Sequence, residues 1–209
     1  CTGPGAGAAA KSLVVEAGDQ DRLPVRMMVK APDGPVPSWL SDGSKQVPCQ
    51  VVDGKLCFIL DELAAGKSRS FTLVFGKSEM PPDAVQLKQT EKTVEIAIAG
   101  QPLTVYHFTN PKHAGQQSRR PYFFPVYGPD QTPMTRLYPL TDEPIPDNVA
   151  KDHPHHKSFW TSYGNVNNVD FWHEGENHGK QVVRKVTTES GPVAGLLKMD
   201  IDWVIPGGK

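Results

Sequence analysis

The amino-acid sequence predicts an all-β protein, and three observations lead to that fold class. Apolar residues come in short runs that alternate with polar residues, as they do in half-buried strands. The 209 residues include 19 glycines and 20 prolines, which favour frequent turns over long helices. The longest apolar runs are far shorter than the roughly 18–20 residues that a membrane-spanning helix needs. We therefore expect a soluble, β-rich protein.

Residues 11–77 predict a small β-sandwich of the immunoglobulin or fibronectin type. Five short apolar segments indicate strands: LVVEA, LPVRMMVK, VPCQVV, KLCFIL and SFTLVF. Clusters of Asp, Gly and Pro, such as APDGP and VDGK, lie between them and mark turns. Five strands in so short a stretch, without a convincing helix, are typical of such sandwiches. No catalytic constellation occurs here, so we expect a structural or adhesive role.

Residues 78–84 (SEMPPDA) predict a linker, and residues 85–209 predict a second, larger antiparallel β-sandwich. EIAIAGQPLTVYHF predicts one hairpin, and QVVRKVTTES with VAGLLKMDIDWVI predicts another that turns at SGP. The irregular stretch 109–155 is too long for an ordinary connection, which indicates a functional loop or disorder. Its aromatic residues argue against disorder. The closing PGGK predicts a turn into a strand that is absent, so we expect the second sandwich to be incomplete.

Charge and cysteine placement bear on partners and location. The 22 basic and 23 acidic side chains are mixed along the chain, which leaves no electrostatic footprint for nucleic acid. Cys1 and the flexible small-residue tether of residues 1–10 are typical of a lipoprotein, whose lipidated cysteine holds it to a membrane; a trimmed chain end is the alternative. The lipoprotein hypothesis predicts an exported protein, periplasmic or on the cell surface. Cys49 and Cys57 flank a turn, and free buried thiols are a better expectation for them than a disulfide.

Five of the seven histidines fall between residues 153 and 178, beside carboxylates and tryptophans. Imidazole is the side chain that can act as acid, base or metal ligand near neutral pH. We therefore expect a polar functional site with these candidate catalytic residues: His153, His155, His156, Asp170, His173 and Glu174. The alternative is that the histidines hydrogen-bond loop backbone and bury their ring faces.

A divalent metal ion is a second hypothesis for the same histidines. An extended backbone through DHPHH would point His153 and His155 to one side and His156 to the other. Two imidazoles presented in this way can bind one metal ion, and His173 could supply a third ligand. The helical spacing of zinc proteases is absent, so that class is not predicted.

Aromatic, amide and arginine side chains near the histidines predict recognition of a small polar molecule. Trp160 and Trp172 offer flat apolar surfaces to a sugar ring, and Asn167 can hydrogen-bond hydroxyl groups. Arg120 and Arg136 alternate with aromatic residues, a pattern that suits a carboxylate or phosphate. The candidate substrate-binding residues are Arg120, Tyr122, Arg136, Trp160, Asn167 and Trp172. The alternative places the tryptophans in the core and pairs the arginines with surface acids.

The segment RPYFFPVYGPDQTPMTRLYP, followed by DHPHHKSFWTSYGNVNNVDFW, resembles a bacterial family of unknown function that carries the label PmoA-like. The resemblance covers roughly residues 90–209, although nothing here resembles a membrane-embedded monooxygenase. It implies an exported protein that acts on or binds sugar, with a sandwich broadly like that of aldose mutarotases. Its motif positions are Arg120, Pro121, Tyr122, Asp152, His153, His155, His156, Asp170, Phe171 and Trp172.

Together these observations predict a carbohydrate-active protein of the hydrolase, lyase or epimerase type. A histidine of DHPHH would act as general acid or base, aided by Asp170 or Glu174, and Arg120 would hold an anionic or carbonyl oxygen. Two other functions stay open at this stage. One is a non-catalytic module that binds glycans, and the other is a metal-dependent enzyme.

Overall fold

The computed structural model describes residues 11–76 and 84–208, and all the strands and turns below lie within them. No helix occurs in this part of the chain, and all paired strands are antiparallel, so the predicted all-β class is confirmed. The chain divides into two compact units. The first comprises Cys1–Asp83 with Gly191–Val193, and the second comprises Ala84–Ser190 with Ala194–Lys209.

The first unit contains an antiparallel sheet of six strands in the order β1-β6-β3-β4-β5-β2. The strands are β1 (Ser12–Glu16), β2 (Val25–Lys30), β3 (Trp39–Ser41), β4 (Gln46–Val52), β5 (Lys55–Leu60) and β6 (Ser68–Val74). Five of them coincide with the predicted segments. The sequence did not predict β3, because three residues are too few to show an alternation of apolar and polar side chains.

The core of the first unit is built from the alternate, inward-facing residues of these strands. Leu40, Phe58 and Phe71 are almost completely buried there. The rings of Phe58 and Phe71 meet edge to face, with centroids 5.3 Å apart, which is a favourable arrangement for two aromatic side chains. Phe58 and Phe71 belong to predicted strands, whereas Leu40 belongs to β3, which the sequence did not predict.

Cys49 and Cys57 are free, buried thiols on neighbouring strands, as expected. Cys57 lies opposite Gln50 in the β4–β5 ladder, so Cys49 points to the other face of the sheet. The two sulfur atoms are thus separated by the sheet itself. Burial raises the pKa of the Cys49 thiol to about 11, which keeps it protonated and unreactive.

The second unit contains a four-stranded antiparallel sheet in the order β12-β9-β8-β7 and a separate long hairpin, β13–β14. Its strands are β7 (Val85–Gln89), β8 (Thr93–Ile98), β9 (Gln101–His107), β10 (Lys112–His113), β11 (Gln116–Gln117), β12 (Tyr122–Val126), β13 (Lys180–Glu189) and β14 (Leu196–Val204). Both predicted hairpins are confirmed, β8–β9 through the turn at Ala99 and Gly100, and β13–β14 through SGP. The likeness to aldose mutarotases stays a prediction.

The stretch 109–155, expected to be irregular, holds three short strands and a small core of its own. Tyr122, Phe124 and Leu140 pack together there, and Leu137 and Trp160 cover them. The backbone of Phe123 in β12 exchanges hydrogen bonds with Phe159, and the Phe123 N–H donates to the Phe159 oxygen at 2.8 Å. This contact fixes the chain next to the histidine-rich segment.

Several predictions fall on residues that the structure does not describe. The lipidated Cys1 and the tether 1–10 lie outside the described residues, as does the linker 78–84 apart from Ala84. An exported, membrane-held protein therefore stays a prediction. Within the described ranges, no helix is long and apolar enough to cross a membrane.

Candidate functional site

The segment 152–156, here called the DHPHH turn, is a tight turn and not the extended strand that was expected. The His156 N–H donates to the His153 oxygen at 2.9 Å, and His153 has a φ of 45°, in the left-handed region. The turn gathers the three imidazoles, which extended backbone would have separated. The His156 ring stacks on His153 at 4.9 Å between centroids and meets His155 edge-on at 4.6 Å.

Arg136 holds the DHPHH turn from outside. Its Nη1 lies 2.6 Å from Asp152 Oδ1, while Nη2 donates to the Asp152 and His153 carbonyl oxygens at 2.8 and 3.0 Å. The other carboxylate oxygen of Asp152 lies 2.9 Å from His153 Nδ1. The hydrogen bonds from Arg136 and then from His153 hold the Asp152 pKa below its usual value. Arg136, predicted to bind substrate, thus has its donors engaged by this turn.

Residues 170–179, here called the clamped loop, are closed at their base and held by two arginines. The Gly179 N–H donates to the Asp170 oxygen at 2.8 Å, which joins the two ends. Arg119 donates to the His178 oxygen at 2.9 Å. Arg120 donates to the carbonyl oxygens of Trp172 and, at 3.4 Å, of His173. Neighbouring arginines in the sequence therefore hold opposite parts of one loop.

A buried group of three charges lies beneath the site. Arg120 Nε is 3.3 Å from one Glu174 oxygen, and Lys157 Nζ is 3.0 Å from the other. All three side chains are less than a tenth exposed. Burial lowers the pKa values of Arg120 and Lys157 against the attraction of Glu174. The predicted catalytic Glu174 and substrate-binding Arg120 therefore lie below the surface, engaged with each other.

The imidazoles of the DHPHH turn form one continuous group of rings with a histidine of the clamped loop and two tryptophans. This group is here called the ring cluster and consists of His153, His155, His156, His173, Trp160 and Trp172. His155 lies 4.8 Å from His173 between centroids, and His156 lies 5.4 Å from Trp160. Trp160 and Trp172 are 5.6 Å apart, and Trp172 also contacts both His155 and His156. The predicted catalytic and aromatic candidates from the two loops are thus brought together.

Within this ring cluster, two imidazoles are held in the neutral form at neutral pH. Burial, followed by repulsion from His156, His173 and His153, lowers the His155 pKa to about 4. Burial and the proximity of His153 also lower the His156 pKa. A neutral imidazole keeps one nitrogen lone pair, which can accept a hydrogen bond or a proton.

Asp170 lies beside two histidines of the clamped loop. Its Oδ2 is 2.7 Å from His173 Nδ1 and 3.8 Å from His178 Nε2. Its Oδ1 accepts the backbone N–H groups of Trp172 at 2.6 Å and His173 at 3.2 Å. Burial raises the Asp170 pKa, but the hydrogen bonds from His173 and the two backbone amides outweigh it, so the pKa lies below its usual value.

The group of side chains suited to a metal ion differs from the predicted one. The sequence predicted His153, His155 and His173 as ligands. Among the described residues, the group that the structure brings together is Asp170, His173 and His178, with their ligand atoms within 4.8 Å of one another. His178 was not among the predicted site residues. Its place five positions after His173, in a short loop rich in glycine, was the available signal.

Two predicted substrate-binding residues are not part of the ring cluster: Asn167 lies away from it, and Tyr122 lies below it. Asn167 is exposed in the tight turn between Val166 and Val169, where its φ is 53°. Tyr122 is buried in β12 and stacks on His107 with centroids 5.0 Å apart. Tyr122 thus acts as a core residue beneath the site.

The fold and this site describe an all-β protein with a histidine-rich surface held by arginines. Residues 93–209 match the model of a family described as "Family of unknown function (DUF6807)". The match spans more than half of the chain, and the protein belongs to this family. The resemblance to a family labelled PmoA-like is therefore wrong, because the matching model is that of DUF6807 and nothing indicates a methane oxygenase family. No curated protein and no solved structure matches the chain.

Proposed function

We propose that the ring cluster binds a carbohydrate or a similar small polyol and transfers protons on it by general acid–base catalysis. The reaction is of the hydrolase, lyase or epimerase type. The observation that carries the proposal is the convergence of imidazoles from two separate loops on a pair of tryptophans, with His156 and Trp160 5.4 Å apart. General acid–base work needs such groups within reach of one bound molecule.

His153 and His156 take the acid–base roles in this proposal. His153 is oriented by Asp152, whose carboxylate lies 2.9 Å from its Nδ1, and acts as one of the two groups that transfer a proton. His156 is neutral at neutral pH because burial lowers its pKa, so its free nitrogen can accept a proton or hydrogen bond from a hydroxyl group. Both rings face each other at stacking distance, within reach of one ligand.

The tryptophans supply the binding surface. Trp160 and Trp172 are both partly exposed, and their rings are tilted by 52° to each other. The apolar face of a sugar ring packs well on such aromatic faces, while imidazoles at the edge hydrogen-bond its hydroxyl groups. The same contacts also favour a second candidate function, a non-catalytic module that binds glycans.

The acid–base enzyme and the glycan-binding module are distinguished by measuring both turnover and binding. The full chain is tested on a panel of glycans and reducing sugars. Products are followed as new reducing ends, as unsaturated sugars, and as epimers or anomers by NMR. His153→Gln and His156→Gln should each lower turnover by about 10²–10⁴-fold, the usual contribution of an acid–base group. His113→Gln is the control and should leave turnover unchanged. The His113 ring lies outside the ring cluster, and its Nδ1 is 3.0 Å from Asp142.

Full turnover in both histidine variants would contradict the acid–base proposal. Binding without turnover in the wild type, retained when His153 and His156 are replaced but lost in Trp172→Ala, would identify the binding module instead. Neither turnover nor binding on the panel would reject carbohydrate as the ligand class.

A further inference from the structure

We propose that Asp170, His173 and His178 bind a divalent transition-metal ion, for which Zn²⁺ is the probe. One carboxylate oxygen and two imidazole nitrogens lie within 4.8 Å of one another. This combination of one oxygen and two nitrogen ligands is typical of Zn²⁺ and of other first-row transition metals. The proposed metal site shares His173 with the ring cluster but does not depend on the catalytic role given to that cluster above.

The carboxylate of Asp170 is already oriented for such an ion. Two backbone N–H groups, from Trp172 and His173, occupy its Oδ1 at 2.6 and 3.2 Å. This leaves Oδ2 directed at both imidazoles. Hydrogen bonds to a ligating carboxylate are the outer contacts that fix ligand geometry in metal sites.

The ring of His178 is held in place by the clamped loop. A Cβ at Gly175 would lie 2.7 Å from His178 Nδ1, so the ring packs against a backbone position that only glycine leaves free. The His178 N–H donates to the Gly175 oxygen at 3.0 Å, and Arg119 binds the His178 oxygen at 2.9 Å. Loop closure at Asp170 and Gly179 completes this framework of protein contacts.

A simple ion pair explains only part of this arrangement. Asp170 and His173, 2.7 Å apart, make an ordinary charge-assisted hydrogen bond. His178 Nε2 lies 3.8 Å from the same oxygen, which is too far for a hydrogen bond. The two imidazoles therefore face one carboxylate oxygen, and one of them makes no hydrogen bond to it. A small cation between the three atoms would require this arrangement.

The ligand set also leaves room for a further ligand. Each side chain is partly exposed: 31% for Asp170, 56% for His173 and 33% for His178. Three protein ligands leave at least one coordination position of a tetrahedral ion for water or a substrate oxygen. His155 contacts His173, so a molecule bound at the ring cluster would lie next to that position.

Calorimetric titration with ZnCl₂ tests the site in the full chain, purified without a histidine tag and dialysed against chelator. We expect one Zn²⁺ per chain with a defined affinity. His178→Gln and Asp170→Asn should each weaken binding by about 100-fold or more, since loss of even an outer contact costs roughly 10–100-fold. His153→Gln is the matched control, because it removes an exposed imidazole of the neighbouring turn and should leave Zn²⁺ affinity unchanged.

A second readout guards against loss of folding in the variants. Zn²⁺ should raise the melting temperature of the wild type and of His153→Gln, but not that of His178→Gln, whose circular dichroism should match the wild type. Absence of Zn²⁺ binding to the wild type would overturn the proposal. Binding with unchanged affinity in both His178→Gln and Asp170→Asn would overturn it as well. Turnover enters none of these readouts, so failure here is distinct from failure of the acid–base proposal.

Discussion

At the scale of single residues, the two predicted ligand-binding arginines of this site hold other parts of the protein through hydrogen bonds and ion pairs. Arg120 is engaged by Glu174 and by carbonyl oxygens of the clamped loop, and Arg136 is engaged by the DHPHH turn. The sequence predicted both as ligands for an anionic oxygen. It could not reveal their partners, because Glu174 lies 54 positions after Arg120 and only the fold brings them together.

Replacing Glu174 should destabilise the protein more than any other single change within the buried charge group. Glu174→Gln leaves Arg120 and Lys157 buried without their counter-charge, and breaking a buried ion pair costs about 3–5 kcal/mol. Lys157→Met should cost less, because Arg120 and Glu174 still balance each other. Urea unfolding measures both, with Glu176→Gln, exposed in the same loop, as the control. Equal stability of the Glu174 and Glu176 variants would contradict this account.

At the scale of elements, local patterns were predictive and loop conformations were not. The β8–β9 and β13–β14 hairpins, Thr93–His107 and Lys180–Val204, follow from alternation and turn residues within one short stretch each, so the sequence predicts them well. The DHPHH turn depends on a left-handed His153 and on Arg136, which lies 16 positions before Asp152. Neither feature leaves a periodic signal, so the extended conformation was the wrong prediction.

Arg136 should control the order of the DHPHH turn with little effect on overall stability. Arg136→Gln removes contacts to Asp152 and His153. Arg136 is 29% exposed and its partner Asp152 is 57% exposed, and single ion pairs that reach solvent contribute little to folding. We expect faster amide hydrogen exchange in residues 152–157 and an almost unchanged urea midpoint.

Arg184→Gln is the control for this experiment. It breaks the exposed pair with Asp202 at 2.7 Å and should leave exchange in the turn unaltered. Unchanged protection of His156 in the Arg136 variant would show that the turn holds its shape without the arginine.

At the scale of the whole molecule, sheets form the scaffold and the connections between strands carry the candidate site. Both units are built from antiparallel strands, and the histidines of the candidate site lie on connections between strands. The all-β class was predictable because composition and periodicity act along the entire chain. The group Asp170, His173 and His178, proposed to bind a metal ion, was not predictable, since its geometry depends on how one loop closes.

Stability should decrease as the pH falls below neutrality, and His107 should contribute to that decrease. Burial lowers the His107 pKa, although its hydrogen bond to the Phe124 oxygen opposes this effect. The unfolded chain then binds the proton at a higher pH than the folded one, so folding free energy is lost from about pH 6.5 down to the folded pKa. His107→Asn should show a shallower decrease between pH 7.5 and 5.5 in urea titrations with chelator present. An identical slope in the variant would assign the decrease to other groups.

The closed base of the clamped loop has a consequence for how this family can diversify. The ends of the loop meet at Asp170 and Gly179, so exposed positions between them, unlike the buried Glu174, can change in sequence without moving the strands around it. Asp170, His173 and His178 all lie within this one segment. A few substitutions there would exchange the proposed ligand set for another and leave the scaffold unchanged.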